Sequence, residues 1–358
     1  MRIPVVSLFS GSGGLDLGFE RAGFEILAAY DVFAPAVETY NFNRSQKVAQ
    51  VADILYLSGR DVAQDIAAQH GAKIPIGVIG GPPCQAFSRS NVYPREDDLR
   101  RTLPGHFARL LRELSEHFDI AFFVFENVQG LTFERHRQEF ARFRFLFEEA
   151  GFKLFEKLLN AKDYEVPQDR PRVFIVGMNN KLQTLASETF SFPRPIRREI
   201  TVRQAFQAAF GASNEQWPDP AFFQRGISEN EIPFHPNHWT LMPKSEKFRN
   251  GLLREGEIKG RSFRVLAWDK PSWTVAYGNR EVHVHPTGKR RLSIFEAMAL
   301  QGFPKQYVLR GTLSAQVKLI SDAVPPPLAY HLATSIRIWL ERNGIYNVQH
   351  IGEGSIHA

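Results

Sequence analysis

The chain has 358 residues, of which 43% are hydrophobic and 23% charged, a composition typical of a globular protein rather than a disordered one. Its 44 Lys and Arg outnumber 38 Asp and Glu, and the net charge of +6 favours a polyanionic partner such as nucleic acid. The single cysteine excludes an intramolecular disulfide, and no apolar run approaches the ~20 residues that span a bilayer. We therefore expect a cytoplasmic protein with no signal peptide and no membrane segment.

Strand-like and helix-like segments alternate over the first 180 residues. Short apolar runs predict strands at 3–9, 26–30, 76–79, 120–125 and 172–176. Amphipathic patterns predict helices at 15–22, 34–43, 107–118 and 135–150. This alternation predicts an α/β fold with a mainly parallel sheet, whose ligands bind at the carboxyl ends of the strands.

The alternation stops near residue 181. Residues 190–280 are rich in Pro, Trp, Phe, His and Arg and show little helical periodicity, so we interpret them as part of a separate, irregular module. Helical patterns return at 293–300 and 328–342. The predicted division is a larger domain of residues 1–180 plus 290–345, a smaller domain of residues 181–289, and a flexible tail of residues 346–358.

A glycine-rich turn, Phe-Ser-Gly-Ser-Gly-Gly at residues 9–14, follows the first predicted strand and opens a helix. Glycines there let a ligand approach the backbone, and the helix start offers unpaired N–H groups. The Leu15-Asp16 pair that follows fits neither the P-loop nor the dinucleotide fingerprint. Asp31 ends the second strand, where an acid can bind a ribose diol, although a plain turn remains the alternative for the loop.

The only cysteine, Cys84, lies in the loop Gly-Gly-Pro-Pro-Cys-Gln at residues 80–85. A lone cysteine is more often a small buried hydrophobe than a nucleophile. This one follows two glycines and two prolines at the end of a strand, where active-site groups collect. A thiol there is a candidate nucleophile if nearby cations lower its pKa.

Charged residues also mark two later strands. Glu126 ends the apolar run that begins at Ile120, which indicates a functional carboxylate, with capping by Asn127 as the alternative. Arg170 and Arg172 precede or begin another strand. They are ordinary surface residues unless a nearby acid joins them in binding an anionic or carbonyl-bearing ligand.

Taken in chain order, these segments resemble motifs of the cytosine-C5 DNA methyltransferase family of the bacterial restriction–modification type. The matching segments are F-x-G-x-G-G at 9–14, P-P-C-Q at 82–85, D-L-R-R-T-L at 98–103, E-N-V at 126–128, Q-x-R-x-R at 168–172, and R-R-L-S through Q-G-F-P at 290–304. The resemblance extends from residue 5 to about residue 336, and the single cysteine coincides with the family's nucleophile. It implies a doubly wound, Rossmann-like methyltransferase domain that binds S-adenosylmethionine, and it makes 181–289 a target-recognition domain.

The resemblance also implies the reaction: transfer of a methyl group from S-adenosylmethionine to C5 of a flipped-out cytosine in a specific double-stranded DNA sequence. Cys84 would add to C6, and Glu126 would hydrogen-bond the ring N3 and the exocyclic amine. Arg172 would contact the base carbonyl. Arg170 would support the loop or bind a phosphate.

Further residues are carried over from the resemblance as ligand contacts. The predicted cofactor contacts are Phe9, Gly11, Gly13, Gly14, Leu15, Asp31, Val32, Asp53, Ile54, Pro82, Leu103, Asp322 and Ala323. The predicted DNA contacts are Gln85, Ser88, Arg264, Thr274, Asn279 and Arg280.

Two cofactor positions depart from the family pattern. Val32 stands where an aromatic residue often follows the ribose-binding acid. Ser321-Asp322 replaces the usual Gly-Asn. A buried carboxylate at Asp322 requires a cationic partner, whereas a solvated one would mean that the loop turns outward.

The nearest alternative is the same chemistry on tRNA. A nicotinamide oxidoreductase is disfavoured by the missing third glycine, and a catalytically inactive nucleic-acid-binding protein by the intact Cys84 and Glu126. His283 and His285 alternate on one strand without a full ligand set, so we expect no metal. The expected partners are double-stranded DNA and a restriction endonuclease of the same specificity, and the expected state is a monomer.

Overall fold

The structure of the protein is a computed structural model that describes residues 2–71, 74, 76–83, 98–185, 188–196, 198–211, 217–224, 226–260, 263–275 and 283–346. Five of the predicted site residues lie outside the described residues: Cys84, Gln85, Ser88, Asn279 and Arg280. The predicted tail also lies outside them, except for its first residue, Tyr346.

A seven-stranded sheet forms the centre of the described structure. Its strands are β1 (Ile3–Leu8), β2 (Phe24–Asp31), β3 (Ala49–Val51), β4 (Gly77–Gly80), β5 (Phe122–Val128), β6 (Phe152–Asn160) and β8 (Pro171–Asn179); the short strand β7 (Gln168–Asp169) lies outside it. The order is β3-β2-β1-β4-β5-β8-β6, and all neighbours are parallel except that β8 runs antiparallel to both β5 and β6. The predicted α/β fold with a mainly parallel sheet is confirmed.

The strand order reverses between β1 and β4. From β1 the chain moves outward through β2 and β3, and then returns to add β4 and β5 on the other side. Helices leave the two central strands in opposite directions at such a switch point, so a crevice opens beyond their carboxyl ends.

Helices cover both faces of the sheet. The helices in the described residues are α1 (Gly14–Arg21), α2 (Ala34–Phe42), α3 (Gly59–His70), α4 (Leu103–Ser115), α5 (Arg137–Glu149), α6 (Asn180–Leu185), α7 (Val202–Phe210), α8 (Glu246–Arg249), α9 (Ile294–Leu300), α10 (Leu313–Asp322) and α11 (Pro326–Arg342). One core packs α1 and α11 against the sheet, and a second packs α3, α4 and α5 against the other face. Gly18 allows the close contact of α1 with α11, since a Cβ there would come within 2.4 Å of the Ala329 Cβ. None of the described helices is long and apolar enough to cross a membrane.

A third core lies beside the sheet and joins α7, α9 and α10 with parts of residues 217–275. The remaining strands in the described residues are β9 (Ala221–Phe222), β10 (Trp239–Thr240), β11 (Ile258–Lys259), β12 (Phe263–Val265), β13 (Ser272–Trp273) and β14 (His283–Val284). These strands are only two or three residues long, which agrees with the irregular character expected for this region. Strands β12 and β14 pack in a small fourth core with Phe248 and Leu253. The domain boundaries at 181 and 290 stay a prediction, because α9 and α10 share the third core with the residues before them.

Candidate active site

A cavity of about 450 Å³ opens at the carboxyl ends of β1 and β4, where the strand order predicts a ligand site. Most of the predicted cofactor contacts lie in its wall. They are Phe9, Gly11, Gly14, Leu15, Asp31, Val32, Asp53, Ile54, Pro82, Leu103, Asp322 and Ala323. The predicted catalytic residues Glu126 and Arg172 line the same cavity.

The glycine-rich turn and the end of β2 form one wall. Phe9 and Gly11 both adopt positive φ angles, of 54° and 53°, so the chain turns sharply at this edge of the sheet. The Gly11 N–H donates to Asp31 Oδ2 at 2.9 Å, and the Phe33 N–H donates to Asp31 Oδ1 at 2.8 Å. Burial raises the pKa of Asp31, and these two hydrogen bonds oppose the rise. Each carboxylate oxygen keeps a lone pair with which to accept a hydroxyl.

Gly13 is not among the cavity-lining residues and instead lies behind the turn. It is the N-cap of α1 and has a φ of 77°. A Cβ at Gly13 would approach the Arg44 guanidinium to 2.9 Å and the Tyr40 ring to 3.0 Å. The glycine therefore makes room for Arg44, and a cofactor contact at Gly13 stays a prediction.

Glu126 and Arg172 meet at the far end of the cavity. Arg172 Nε lies 3.1 Å from Glu126 Oε1, and each side chain is about 10% exposed. The antiparallel pairing of β5 with β8 brings the two residues together. Glu126 lies two residues before the end of β5, opposite Phe174, and Arg172 is the second residue of β8, opposite Val128, so the two side chains lie on the same face of the sheet. Burial raises the pKa of Glu126 although Arg172 and Arg170 lower it, so this carboxyl holds a proton more readily than an exposed one.

The loop that leads to Cys84 is held next to this pair. Pro82 and Pro83 line the cavity, and Asn127 Nδ2 donates to the Pro82 carbonyl at 3.3 Å. At Gly81 a Cβ would lie 2.8 Å from Glu126 Oε2, so a side chain there would displace the Glu126 carboxyl from its position. The chain therefore enters the segment that contains Cys84 directly from the cavity wall.

Arg170 points elsewhere. Its side chain is buried, and its guanidinium donates to the main-chain carbonyls of Val275 at 3.2 Å, Ser321 at 2.7 Å and Ala323 at 2.9 Å. The sequence left two roles open for Arg170, supporting the loop or binding a phosphate. These contacts favour the first role. Arg170 joins the segment before residue 276 to the cavity wall at 321–323.

Two of the predicted DNA-contacting residues, Arg264 and Thr274, lie within the described residues, in the segment 263–275 beside the sheet. Arg264 is exposed on β12. Thr274 is half-buried, and its hydroxyl donates to the Asp169 carbonyl at 2.7 Å. DNA contact by either residue stays a prediction.

Lys318 and Asp16 also line the cavity, and the sequence motifs did not identify them. Lys318 lies four residues before Asp322, so the two are neighbours on α10. Had the sequence predicted a helix there, this spacing would have indicated Lys318 as the ion-pair partner of Asp322. Lys318 Nζ is 2.6 Å from Asp322 Oδ2, and both side chains are 47% exposed. The expected cationic partner of Asp322 is therefore present, although the carboxylate is half-exposed rather than buried.

We expect Asp322→Asn to weaken cofactor binding by about 1 kcal/mol, or about fivefold. The substitution removes one charge of a pair that lines the cavity and would face the charged amino-acid end of the cofactor. Titration calorimetry with S-adenosylhomocysteine measures the change. Glu341→Gln is the matched control, because Glu341 pairs with Arg337 at the same spacing on α11, away from the cavity. If the wild type, Asp322→Asn and Glu341→Gln bind the cofactor with equal affinity, Asp322 is an ordinary surface residue with no role in cofactor binding.

Asp16 is fully buried in the first turn of α1, where its Oδ1 accepts from the Tyr40 hydroxyl at 3.0 Å. Burial raises the pKa of Asp16 from 3.8 to about 6, against the opposing effects of Arg44, Ser7 and Tyr40. The folded protein therefore takes up this proton more readily than the unfolded chain. Its contribution to stability falls as the pH rises from 4 to 6 and stays lower at higher pH.

We accordingly expect Asp16→Asn to raise the free energy of unfolding at pH 8 by up to roughly 3 kcal/mol, at about 1.4 kcal/mol per pKa unit. The gain should disappear near pH 3 and below, where the Asp16 carboxyl is protonated in both states. Chemical denaturation at the two pH values measures it, with the exposed Asp119→Asn as a control. If the variant is no more stable than the wild type at pH 8, the pKa of Asp16 is not raised by burial as described.

The two histidines of the possible metal motif are buried. His283 and His285 are 0% and 4% exposed, and burial lowers their pKa values to about 3 and about 4. The His285 ring stacks on Phe206. Within the described part of the chain, no three His, Cys, Asp or Glu side chains are grouped so that they could hold a metal ion.

Comparison with known proteins identifies the family. The family model described as "C-5 cytosine-specific DNA methylase" matches residues 3–337. A type II methyltransferase of Neisseria meningitidis, M.NmeDI, is 32% identical over 95% of this chain and 84% of its own length. M.MthTI, a type II methyltransferase of Methanothermobacter thermautotrophicus, is 32% identical over 97% of this chain and 100% of its own.

Solved structures share the fold. A crystal structure of a protein encoded within an Escherichia coli prophage, assigned as a DNA modification methyltransferase, has a TM-score of 0.76 and 23% identity, and the match covers 95% of this chain and 99% of that one. The Schizosaccharomyces pombe Dnmt2 methyltransferase has a TM-score of 0.58 and 18% identity over 95% and 99% of the two chains. With a family match over nearly the whole length, this chain belongs to the C-5 cytosine-specific DNA methylase family and is a DNA cytosine-C5 methyltransferase.

Proposed function

We propose that this enzyme methylates C5 of a flipped-out cytosine in a specific double-stranded DNA sequence, through a covalent adduct between Cys84 and C6 of the base. The observation that carries the proposal is the Glu126–Arg172 pair, with 3.1 Å between Nε and Oε1, in the cavity that the glycine-rich turn and Asp31 also line. An acid that can keep a proton thus shares one cavity with residues suited to bind a nucleoside.

The cavity fits S-adenosylmethionine in its chemistry. Asp31 can accept from a ribose diol, since its two oxygens are already oriented by main-chain amides. Ile54, Leu103 and Phe9 offer apolar contact for the adenine, while Lys318 and Asp322 offer opposite charges for the amino-acid arm. When bound, S-adenosylmethionine supplies an electrophilic methyl group to the activated C5.

The residues of this chain would activate the base in two ways. The Cys84 thiolate would add to C6, which breaks the C5–C6 double bond and makes C5 electron-rich. Glu126 would hold its proton against N3 and accept from the exocyclic amine, so that negative charge on the ring is neutralised as the sulfur adds. Once C5 carries the methyl group, loss of the C5 proton to a base would expel the Cys84 thiolate and restore the C5–C6 double bond.

Arg172 would orient both the acid and the base. Its pairing with Glu126 fixes the carboxyl, and its guanidinium can donate to the cytosine carbonyl. Arg170 would have a supporting role: its hydrogen bonds to the carbonyls of Val275, Ser321 and Ala323 hold the cavity wall in position.

A cytosine stacked in a duplex cannot reach this site. Glu126 and Arg172 are each only about 10% exposed, at the end of a cavity. The base must therefore rotate out of the helix, at a cost of a few kcal/mol. We assign sequence recognition to residues 181–289, whose predicted contacts include Arg264 and Thr274.

We also propose the biological setting from the relatives. The named relatives are type II methyltransferases, which supports a partnership with a restriction endonuclease that cuts the same sequence. On this proposal the enzyme works in the cytoplasm as a monomer and requires no metal for the reaction.

A methyl-transfer assay tests the function. Purified protein is incubated with labelled S-adenosylmethionine and either double-stranded genomic DNA or total tRNA, in the presence of EDTA. Label in DNA, mapped to cytosine C5 by bisulfite sequencing, is the expected result. Label in tRNA alone would establish the RNA alternative, and label in neither would contradict the proposal.

A further inference from the structure

The turn that lines the cofactor cavity is held from behind by a tyrosine far along the chain. The Tyr307 hydroxyl donates to the Ser12 carbonyl at 2.6 Å, and the tyrosine side chain is only 4% exposed. Burial raises the pKa of Tyr307 to about 12, so the phenol keeps the proton that it donates. Ser12 lies in the cavity wall, whereas Tyr307 lies behind it.

Arg44 extends this support to the next residue of the turn. Its Nη1 donates to the Tyr307 hydroxyl at 3.2 Å, and its Nη2 lies 3.5 Å from the Gly13 carbonyl. Two hydrogen bonds to Glu20, at 2.8 and 2.9 Å, fix the guanidinium, which also stacks 3.7 Å above the Tyr40 ring. The arginine is thus held rigidly against the back of the turn.

These contacts determine which backbone groups face the cavity. The Ser12 carbonyl and the Gly13 N–H belong to one planar peptide, and the Gly13 N–H donates to the Ser10 carbonyl at 2.9 Å. With both ends of that peptide occupied, the Ser12 carbonyl cannot rotate toward the ligand. The start of α1 at Gly14 then presents N–H groups rather than carbonyl oxygens to an anionic ligand group.

Two asparagines fix the backbone of the residues that directly follow Tyr307. Asn43 exchanges two hydrogen bonds, both of 2.8 Å, with the backbone N–H and carbonyl of Val308. Asn237 does the same with Leu309, again at 2.8 Å. Asn237 lies within the predicted recognition domain. Residues of both predicted domains therefore hold the segment 307–309, whose Tyr307 contacts the glycine-rich turn.

We propose that Tyr307 is a positioning residue for cofactor binding, which holds the Ser12–Gly13 peptide so that the first amides of α1 face the carboxylate of S-adenosylmethionine. The proposal rests on the proposed function, because it concerns the same cavity. It assigns no contact between Tyr307 and the substrate or the cofactor.

Tyr307→Phe is the test, with Tyr164→Phe as the matched control. The Tyr164 hydroxyl also donates to a main-chain carbonyl, that of Pro193 at 3.0 Å, and the side chain is also buried, but it lies outside the cavity wall. The measurements are the dissociation constant of S-adenosylhomocysteine by calorimetry, the melting temperature, the DNA affinity without cofactor, and the KM values for cofactor and DNA.

Tyr307→Phe should weaken cofactor binding about five- to tenfold, the loss expected for one buried hydrogen bond, and should raise KM for the cofactor without changing DNA affinity. Tyr164→Phe should lower the melting temperature about as much as Tyr307→Phe does, because each substitution removes one buried hydrogen bond. It should leave cofactor binding unchanged. Unchanged cofactor affinity in a folded Tyr307→Phe would overturn the proposal, as would equal losses in both variants. Wild-type protein that binds no cofactor would instead refute the proposed function. If Tyr307→Phe does not fold, Arg44→Lys replaces it with the same expectations.

Discussion

Replacing Cys84 with alanine is expected to reduce methyl transfer to below about 1% of the wild-type rate, because a thiolate that adds to C6 has no substitute in the alanine side chain. DNA binding should survive, since phosphate contacts and base flipping do not need the thiol. A radiolabel transfer assay and a gel-shift titration measure the two properties on the same preparation.

The adduct itself can be trapped. DNA that carries 5-fluorocytosine at the target should become covalently linked to the wild-type protein, because fluorine cannot leave as a proton does. No such adduct should form with Cys84→Ala. Retention of more than about 1% of the rate by the alanine variant would show that nucleophilic catalysis by Cys84 is the wrong mechanism.

Glu126→Gln should lower kcat by about a hundredfold or more, the usual contribution of a positioned general acid. Glutamine keeps the size and the hydrogen bonds of the side chain but has no proton to give to N3. Because burial raises the pKa of Glu126, the wild-type kcat/KM should fall on the alkaline side as the carboxyl loses its proton. That fall should be absent from the glutamine variant.

Glu156→Gln is the control for this substitution. Glu156 also pairs with an arginine, Arg144, at 2.5 Å, and burial likewise raises its pKa, but it lies on the edge strand β6 away from the cavity. It should leave the rate and the pH profile unchanged. If Glu126→Gln retained most of the wild-type kcat, the carboxyl would have no role in protonating the base.

Several structural elements were predictable because their signals are local. The apolar run of β1 and the glycine-rich turn after it predict a strand, a loop and a helix within twenty residues, and the structure contains β1 and α1 there. Other elements of the predicted larger domain, among them α3, β6 and α10, were missed. Strand β6 is the sheet edge with three exposed residues in a row, so it lacks the apolar run by which the buried strands are found.

The identities of the candidate site residues also came from the sequence. Glu126 and Arg172 are 46 positions apart, yet Glu126 lies near the end of β5 and Arg172 near the start of β8, and these two strand ends meet in the sheet. Asp31 was expected at the cavity for the same reason, since the parallel order of β1 and β2 places their ends together.

What the sequence alone determined about this protein is therefore the fold class, the family and the residue types available for chemistry, because strand periodicity and turn residues act over a few positions. The tertiary structure decided which neighbour each polar group has. Arg170 and Arg172 are two residues apart, but one guanidinium reaches the carbonyls of Ser321 and Ala323 and the other reaches Glu126. Tyr307 likewise meets Ser12 only because folding brings together segments 295 residues apart. Hydrogen bonds of this kind require distances near 3 Å between groups that no local pattern relates, so only the folded chain could reveal them.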